Sequence, residues 1–353
     1  MKKLLAILLL AALSLTLFSC GAINKDGEVS VLWSDMDDEF LATVADALDR
    51  AMYIENINYT HYDAEGNDAT LVTLAEDAIE GGAVALVVST ESVTVATAIA
   101  DRAKTASIPV VFLCSSDLVS ALCAEREGCY AVSMKEESLS TVLGEAVAAD
   151  LLANYDKYDR DGDGKISYAA FGLSAVAVPV INEKLKAADK PELIADAVNV
   201  TLPTAGIAAT VDRIFDGYDG SGNEVNDTPV ELILTDDDAY VAELLAALWK
   251  YELNYRKLTT HFLPLYTVGI SAAAGDLLPD NAKDEERDAF SVMNTVDKGY
   301  VSAAALADDD ALALTCAAML RNLICEADSA VAGIDETLVD GRKVRIPYTV
   351  YGN

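Results

Sequence analysis

Short apolar, β-branched runs alternate with longer amphipathic ones along nearly the whole chain, and this alternation restricts the fold more than any other feature. Residues 29–33, 83–88 and 110–113 are almost unbroken apolar stretches. A strand that is apolar on both faces must be covered on both faces, as in a parallel sheet flanked by helices. The segments between carry the helical period: Leu41, Val44, Leu48 and Met52 fall on one face of a helix predicted over 38–53. A strand is predicted at 56–59 and another at 130–133. After a break near residue 134 the pattern resumes, with strand-like runs at 166–171, 198–202, 231–235 and 264–268. The expected fold class is α/β, with two doubly wound parallel-sheet lobes. A length of 353 residues suits two domains better than one.

Charge and the first residues narrow the setting. There are 58 Asp+Glu against 25 Lys+Arg, a formal net charge of −33. Such a surface repels phosphate backbones, which excludes nucleic-acid partners, and a membrane contact would need a tether rather than a basic patch. Met1-Lys2-Lys3 precedes an apolar run from Leu4 to Leu17. That run is shorter than the roughly 20 residues of a spanning helix and reads as a secretory signal peptide over 1–19. Leu17-Phe18-Ser19-Cys20 resembles a bacterial lipobox, in which Cys20 carries lipid and becomes the first residue. Residues 20–28 then form a tether, and Gly21 to Gly27 reaches at most about 25 Å. The expected location is extracytoplasmic, lipid-anchored to a bacterial membrane, in the periplasm or at the cell surface. Of the other cysteines, Cys316 and Cys325 are about 13 Å apart along one predicted helix, too far to bridge. Cys123 and Cys129 flank a loop and are easier to join.

Doubly wound sheets bind ligands beyond the carboxyl ends of their strands, so the junctions at 34–40, 89–92, 114–117, 236–238 and 269–273 are candidate site positions. Neither GxGxxG nor GxxxxGK[ST] occurs, which disfavours nucleotides. The sharpest local signal is the run from Asp159 to Ser167. Asp159, Asp161 and Asp163 occupy positions 1, 3 and 5 of a cation loop, and Gly164 allows the turn at position 6. Lys165 offers a backbone carbonyl at 7 and Ser167 an oxygen at 9. Ala170 stands at position 12, where a helical calcium loop has Glu, so the missing ligand must come from elsewhere. Calcium suits such a loop better than magnesium, which requires a smaller and stricter octahedron.

These motifs carry a family resemblance. DMDDEF (35–40), IPVVFL (108–113), DRDGDGKIS (159–167), VELIL followed by DDD (230–238) and KVRIPY (343–348) make residues 29–351 similar to the periplasmic glucose/galactose-binding proteins. These are type I solute-binding proteins of sugar ABC importers. The resemblance implies two lobes joined by a multi-strand hinge, one of 29–134 plus about 307–330, the other of 135–306 plus about 331–353. It implies a monomer that is not an enzyme, with a small sugar-like solute and an ABC permease or membrane sensor as partners. It also implies structural Ca2+ held by Asp159, Asp161, Asp163, Lys165 and Ser167, with Glu231 as the distant bidentate ligand.

The sugar contacts transfer less completely. Asp38 and Phe40 match an acid and an aromatic, and Asp237 stands in place of an Asn. Cys114 replaces an Asn, Gly269 an Asp and Ala307 an Asn; Leu202 falls near the second stacking aromatic, and apolar 173–181 fills a region of His, Asp and Arg. Each hydroxyl left unpaired in a closed site costs roughly 1–3 kcal/mol. Four such losses would remove a micromolar affinity worth about 8 kcal/mol. Asp38, Phe40, Asp237 and Cys114 therefore form the candidate ligand set for a solute other than a plain aldohexose. The second reading is a degenerate scaffold that contacts another protein or a sensor without a small ligand. A glycosidase-like use of Asp37 and Asp38 is the weakest reading, since both acids also suit a helix N-terminus.

Overall fold

The computed structural model describes residues 27–171, 177–200, 206–215, 230–235, 239–251, 253–254, 262–270 and 292–352. The chain forms two compact units, one running to Ser133 and taking in Asp310–Ile346, the other Met134–Asp309 with Pro347–Asn353. The first run of strands is β1 (Val29–Trp33), β2 (Tyr59–Asp63), β3 (Ala85–Val88), β4 (Val110–Leu113) and β5 (Cys129–Met134). The second is β6 (Ser167–Phe171), β7 (Ile194–Val200), β8 (Leu232–Thr235), β9 (Leu265–Ile270) and β10 (Ala303–Ala307). β11 (Val339–Asp340) and β12 (Lys343–Ile346) then return to the first sheet, and β13 (Thr349–Tyr351) to the second.

Among the described residues the first sheet has the order β11-β12-β5-β4-β3-β1-β2 and the second β13-β10-β9-β8-β6-β7. The pairs within β1–β5 and within β6–β10 are parallel, and β11 and β13 add antiparallel edges. The doubly wound expectation is met in each unit. β1, β3 and β4 are wholly buried, as their unbroken apolar sequences require. β2 is an edge strand, and its alternating Tyr-Thr-His-Tyr-Asp leaves every residue partly or fully exposed.

The helices of the first unit begin where side-chain acceptors allow. Asp38 accepts from Leu41 N, Asn67 from Ala69 N and Thr70 N, Ser92 from Val95 N and Ser116 from Val119 N. Each such cap contributes about 1 kcal/mol. Three boundaries depart from the expectation. The strand expected at 56–59 begins instead at Tyr59, because Asn56 takes a left-handed φ of 54° as the preceding helix ends. Residues 331–346, expected with the second lobe, belong to the first unit, because Ala131 N donates to Arg342 O and seats β12 beside β5. Residues 307–309, expected with the first lobe, stay in the second unit, where Ala307 ends β10. Cys123 and Cys129 are buried, unbridged thiols within the core of the first unit, and burial pushes the Cys123 thiol up to about 12.

In the second unit helix Glu136–Tyr158 packs on helix Val178–Ala187. Gly144 sits at their contact. A Cβ there would stand 2.7 Å from Val180 Cβ and 3.0 Å from the Ala177 carbonyl oxygen. Ala177, Ile181 and Leu185 are buried on the same core as Leu143, Val147 and Leu151. Within the described part of the apolar stretch 173–181, Ala177 and Ile181 are thus core material. Gly144→Ala should lower stability in urea denaturation by about 1 kcal/mol, because overpacking of roughly 1–3 kcal/mol outweighs the gain of about 1 in helix propensity.

Candidate metal centre and ligand junctions

The Asp159–Ser167 loop leaves the end of helix Glu136–Tyr158 and enters β6, so it lies at the amino edge of the second sheet. Its own aspartates fold it. Asp159 Oδ2 accepts from Gly164 N (2.9 Å), Asp161 Oδ1 from Asp163 N (2.9 Å) and Asp163 Oδ1 from Lys165 N (2.8 Å). Gly162 and Gly164 take φ of 72° and 81°, the left-handed region that a glycine enters without steric penalty. One oxygen from each of Asp159, Asp161 and Asp163 lies within 4.8 Å of the others. Asp159 Oδ1 is buried and has no hydrogen-bond partner among the described residues. A buried carboxylate oxygen left without a donor is unfavourable, and a cation is the partner this geometry lacks. The residues therefore fit a hard metal ion.

Glu231 reaches the loop through sheet register. β6 pairs with β8 so that Tyr168 faces Leu232, and Glu231, the residue before β8, falls beside Ser167. Glu231 N donates to Ser167 O at 3.1 Å. Its carboxylate accepts from Arg160 N (2.5 Å) through Oε1 and from Ser167 N (3.0 Å) through Oε2, gripping both ends of the loop. The side chain is buried. Burial raises its carboxyl above the usual range, the Ser167 and Arg160 amides oppose that rise, and the Asp161 charge adds to it. The close cluster is the three aspartates; Glu231 is held against the loop by amides rather than drawn into the cluster.

A second layer supports the loop, and sequence reasoning missed it. Buried Tyr155 donates its hydroxyl to Gly164 O at 3.1 Å. Asp150 accepts from Asn154 Nδ2 (2.7 Å), from Tyr158 OH (3.1 Å) and from Tyr266 OH on β9. Asn154 breaks the helical φ/ψ, at −127° and 18°, one turn before the loop. The available signal was spacing: Tyr155 precedes Asp159 by four residues, and Tyr158 lies eight beyond Asp150, so each pair shares a helix face.

On the first sheet, the junctions after β1, β3 and β4 lie along one carboxyl edge. Asp38 is exposed and one of its oxygens caps helix Glu39–Ile54. Phe40 is partly exposed in the first turn. Cys114 follows β4 with a left-handed φ of 53° and is half-buried. Ser89, Thr90 and Ser115 are buried polar residues at the same edge. In the second unit Gly269 is the penultimate residue of β9 and Ala307 the last of β10, and neither carries a polar side chain. Asp237, Leu202 and Cys20 lie outside the described residues.

No protein-family model matches the chain, and no curated protein is similar to it in sequence. Solved structures are similar in fold. An ABC transporter solute-binding protein from Clostridium phytofermentans with bound β-D-glucose is 15% identical, with a TM-score of 0.58 over 92% of this chain and 93% of that one. One from Bradyrhizobium sp. BTAi1 with bound Bis-Tris is 12% identical, with a TM-score of 0.59 over 93% and 83%. The Caulobacter myo-inositol-binding protein is 13% identical, with a TM-score of 0.54 over 94% of both. The chain has the type I solute-binding protein fold.

Two outcomes follow. Asp161→Asn should stabilise the protein slightly in chelator, since like charges about 4 Å apart repel by on the order of 1 kcal/mol even in water. The same change should destabilise it in millimolar divalent cation, so melting curves of the two proteins should cross between conditions. Separately, burial first and then Asp150 raise the Tyr266 hydroxyl well above its usual range, and Tyr158 moves the same way from the same causes. A tyrosine raised in the folded state keeps its full stabilisation below the unfolded value of about 10 and loses it as pH rises beyond. Stability should therefore fall between pH 10 and 12, and more shallowly in Tyr266→Phe.

Proposed function

We propose that this chain is an extracytoplasmic solute-binding protein of an importer, held at the membrane by lipid on Cys20, with a structural calcium ion at the Asp159–Ser167 loop. The observation that carries the calcium assignment is the convergence of Glu231 on a loop whose Asp159 oxygen lacks a donor. The oxygen donors are the carboxylates of Asp159, Asp161, Asp163 and Glu231, the Lys165 carbonyl and Ser167, a number and hardness that suit calcium. The bound ion supplies positive charge that offsets the repulsion among these acids. It sits at the amino edge of its sheet, whereas doubly wound sheets take ligands at the carboxyl edge. Its role is to stabilise the second unit rather than to contact solute.

The solute site is proposed at the carboxyl edge of the first sheet, with Asp38, Phe40 and Cys114 as its contacts and with Ser89, Thr90 and Ser115 added from the buried polar residues; Asp237 remains the fourth member of the candidate ligand set. An Asp38 carboxylate that caps a helix keeps lone pairs for a ligand hydroxyl or ammonium. Acids and hydroxyls without Arg or His suit a polyol-like or cationic solute. β-D-glucose and myo-inositol are bound in similar structures, which supports testing polyols first. The activity is capture and delivery to a permease by a monomer; no chemical step is assigned.

Thermal melting tests the reading, with hexoses, inositols, acyclic polyols and polyamines, each with calcium or with chelator. Calcium alone should raise the Tm, and one solute class should add a further saturable rise. A ligand at 100 times its Kd adds about 2.7 kcal/mol, a shift of several degrees for units of this size. A response to calcium with none across the solutes would support the ligand-free scaffold instead.

A further inference from the structure

The amino edge of the first sheet carries an exposed apolar pair that the solute and calcium sites do not use. Helix Glu39–Ile54 ends with Tyr53 86% exposed and Ile54 67% exposed, side by side. Isolated exposed aliphatics are ordinary, but Tyr53 also lines a cavity of about 1050 Å³ whose wall mixes Gly27, Tyr59 and Leu74 with the polar Glu28, Asn56 and Asp77. Gly27 and Glu28 precede β1, Asn56 and Tyr59 precede or begin β2, and Leu74 and Asp77 lie on the next helix, so this edge lies away from the carboxyl-edge junctions.

The position of Gly27 identifies the occupant. It lines the cavity, and only residues 21–26 separate it from Cys20. The seven Cα–Cα steps from Cys20 to Gly27 extend at most about 25 Å, so lipid on Cys20 holds this edge within that distance of the bilayer. A contact that is weak by itself becomes populated when a short tether raises its effective concentration. Tyrosine is enriched at the membrane–water interface, where its ring is buried and its hydroxyl stays wet. Glu28 and Asp77 also line the cavity, and the chain is strongly acidic overall, so the contact is interfacial and apolar rather than electrostatic.

We infer that the amino edge of the first unit, centred on Tyr53 and Ile54, rests on the lipid surface and turns the carboxyl edge of that sheet away from it. The inference rests on the lipid anchor proposed above. Full-length protein carrying Tyr53→Trp, produced in a host that processes Cys20, is reconstituted into phosphatidylcholine vesicles with brominated acyl chains. Leu118→Trp serves as the comparison, since Leu118 is 71% exposed at the start of helix Asp117–Glu125, on the carboxyl edge. Mass spectrometry of the N-terminal peptide and co-sedimentation with vesicles report the anchor independently.

The expected result is loss of fluorescence in the Tyr53→Trp protein relative to unbrominated vesicles, with Leu118→Trp unchanged. Adding Ile54→Glu, or anionic lipid, should restore part of the signal, while far-UV circular dichroism melts stay the same. Equal behaviour of the two tryptophan variants in sedimenting, lipidated protein would overturn the surface and leave the anchor standing. An unlipidated Cys20 would remove the anchor and the surface together.

Discussion

The second unit depends on one electrostatic arrangement: three aspartates crowd at one turn, and a buried glutamate closes on the same turn from 64 residues beyond its end. Carboxylates so placed repel one another, and burial strengthens the effect by lowering the local dielectric. Backbone amides at Arg160 and Ser167 answer part of the charge on Glu231. Among the described residues none answers the inner oxygen of Asp159. The loop could therefore take a cation there, and the sheet register that aligns β6 with β8 brings the glutamate to it.

How legible this was depends on the range of each interaction. Local periodicity was enough for the strands and helices, because an apolar run such as Val110–Leu113 can only be satisfied by burial on both faces. The loop was equally legible, since Asp159, Asp161, Asp163 and Gly164 owe their spacing to the geometry of the turn itself. Asn56 misled, because a residue that enters the left-handed region ends a helix without a glycine to announce it. The return of β12 to the first sheet was invisible in the same way: Lys343–Ile346 reads as a strand, but nothing local says beside which neighbour. The Asp150 hub required knowing that Tyr266, 116 residues away, faces helix Glu136–Tyr158.

The first sheet gathers small polar side chains at one edge. Its carboxyl edge keeps the small hydroxyl residues Ser89, Thr90 and Ser115 under the rim, while a thiol stands after β4 at Cys114. The capping serines and Asp38 hold the helix starts regardless of what binds above them. Neither Cys114 nor Phe40 is one of these caps.

The chain passes between the two units three times, after Ser133, Asp309 and Ile346, and this has a consequence for biogenesis. During synthesis the amino-terminal sheet emerges early with β5 as a bare rim, because β12 and helix Asp309–Ile324 are still to be made. That rim waits, open to unwanted pairing, while the chain from residue 135 to residue 342 leaves the ribosome. A message truncated anywhere in that stretch yields a half-built sheet that no later event can seal, and its aggregation hazard lies at the rim of β5.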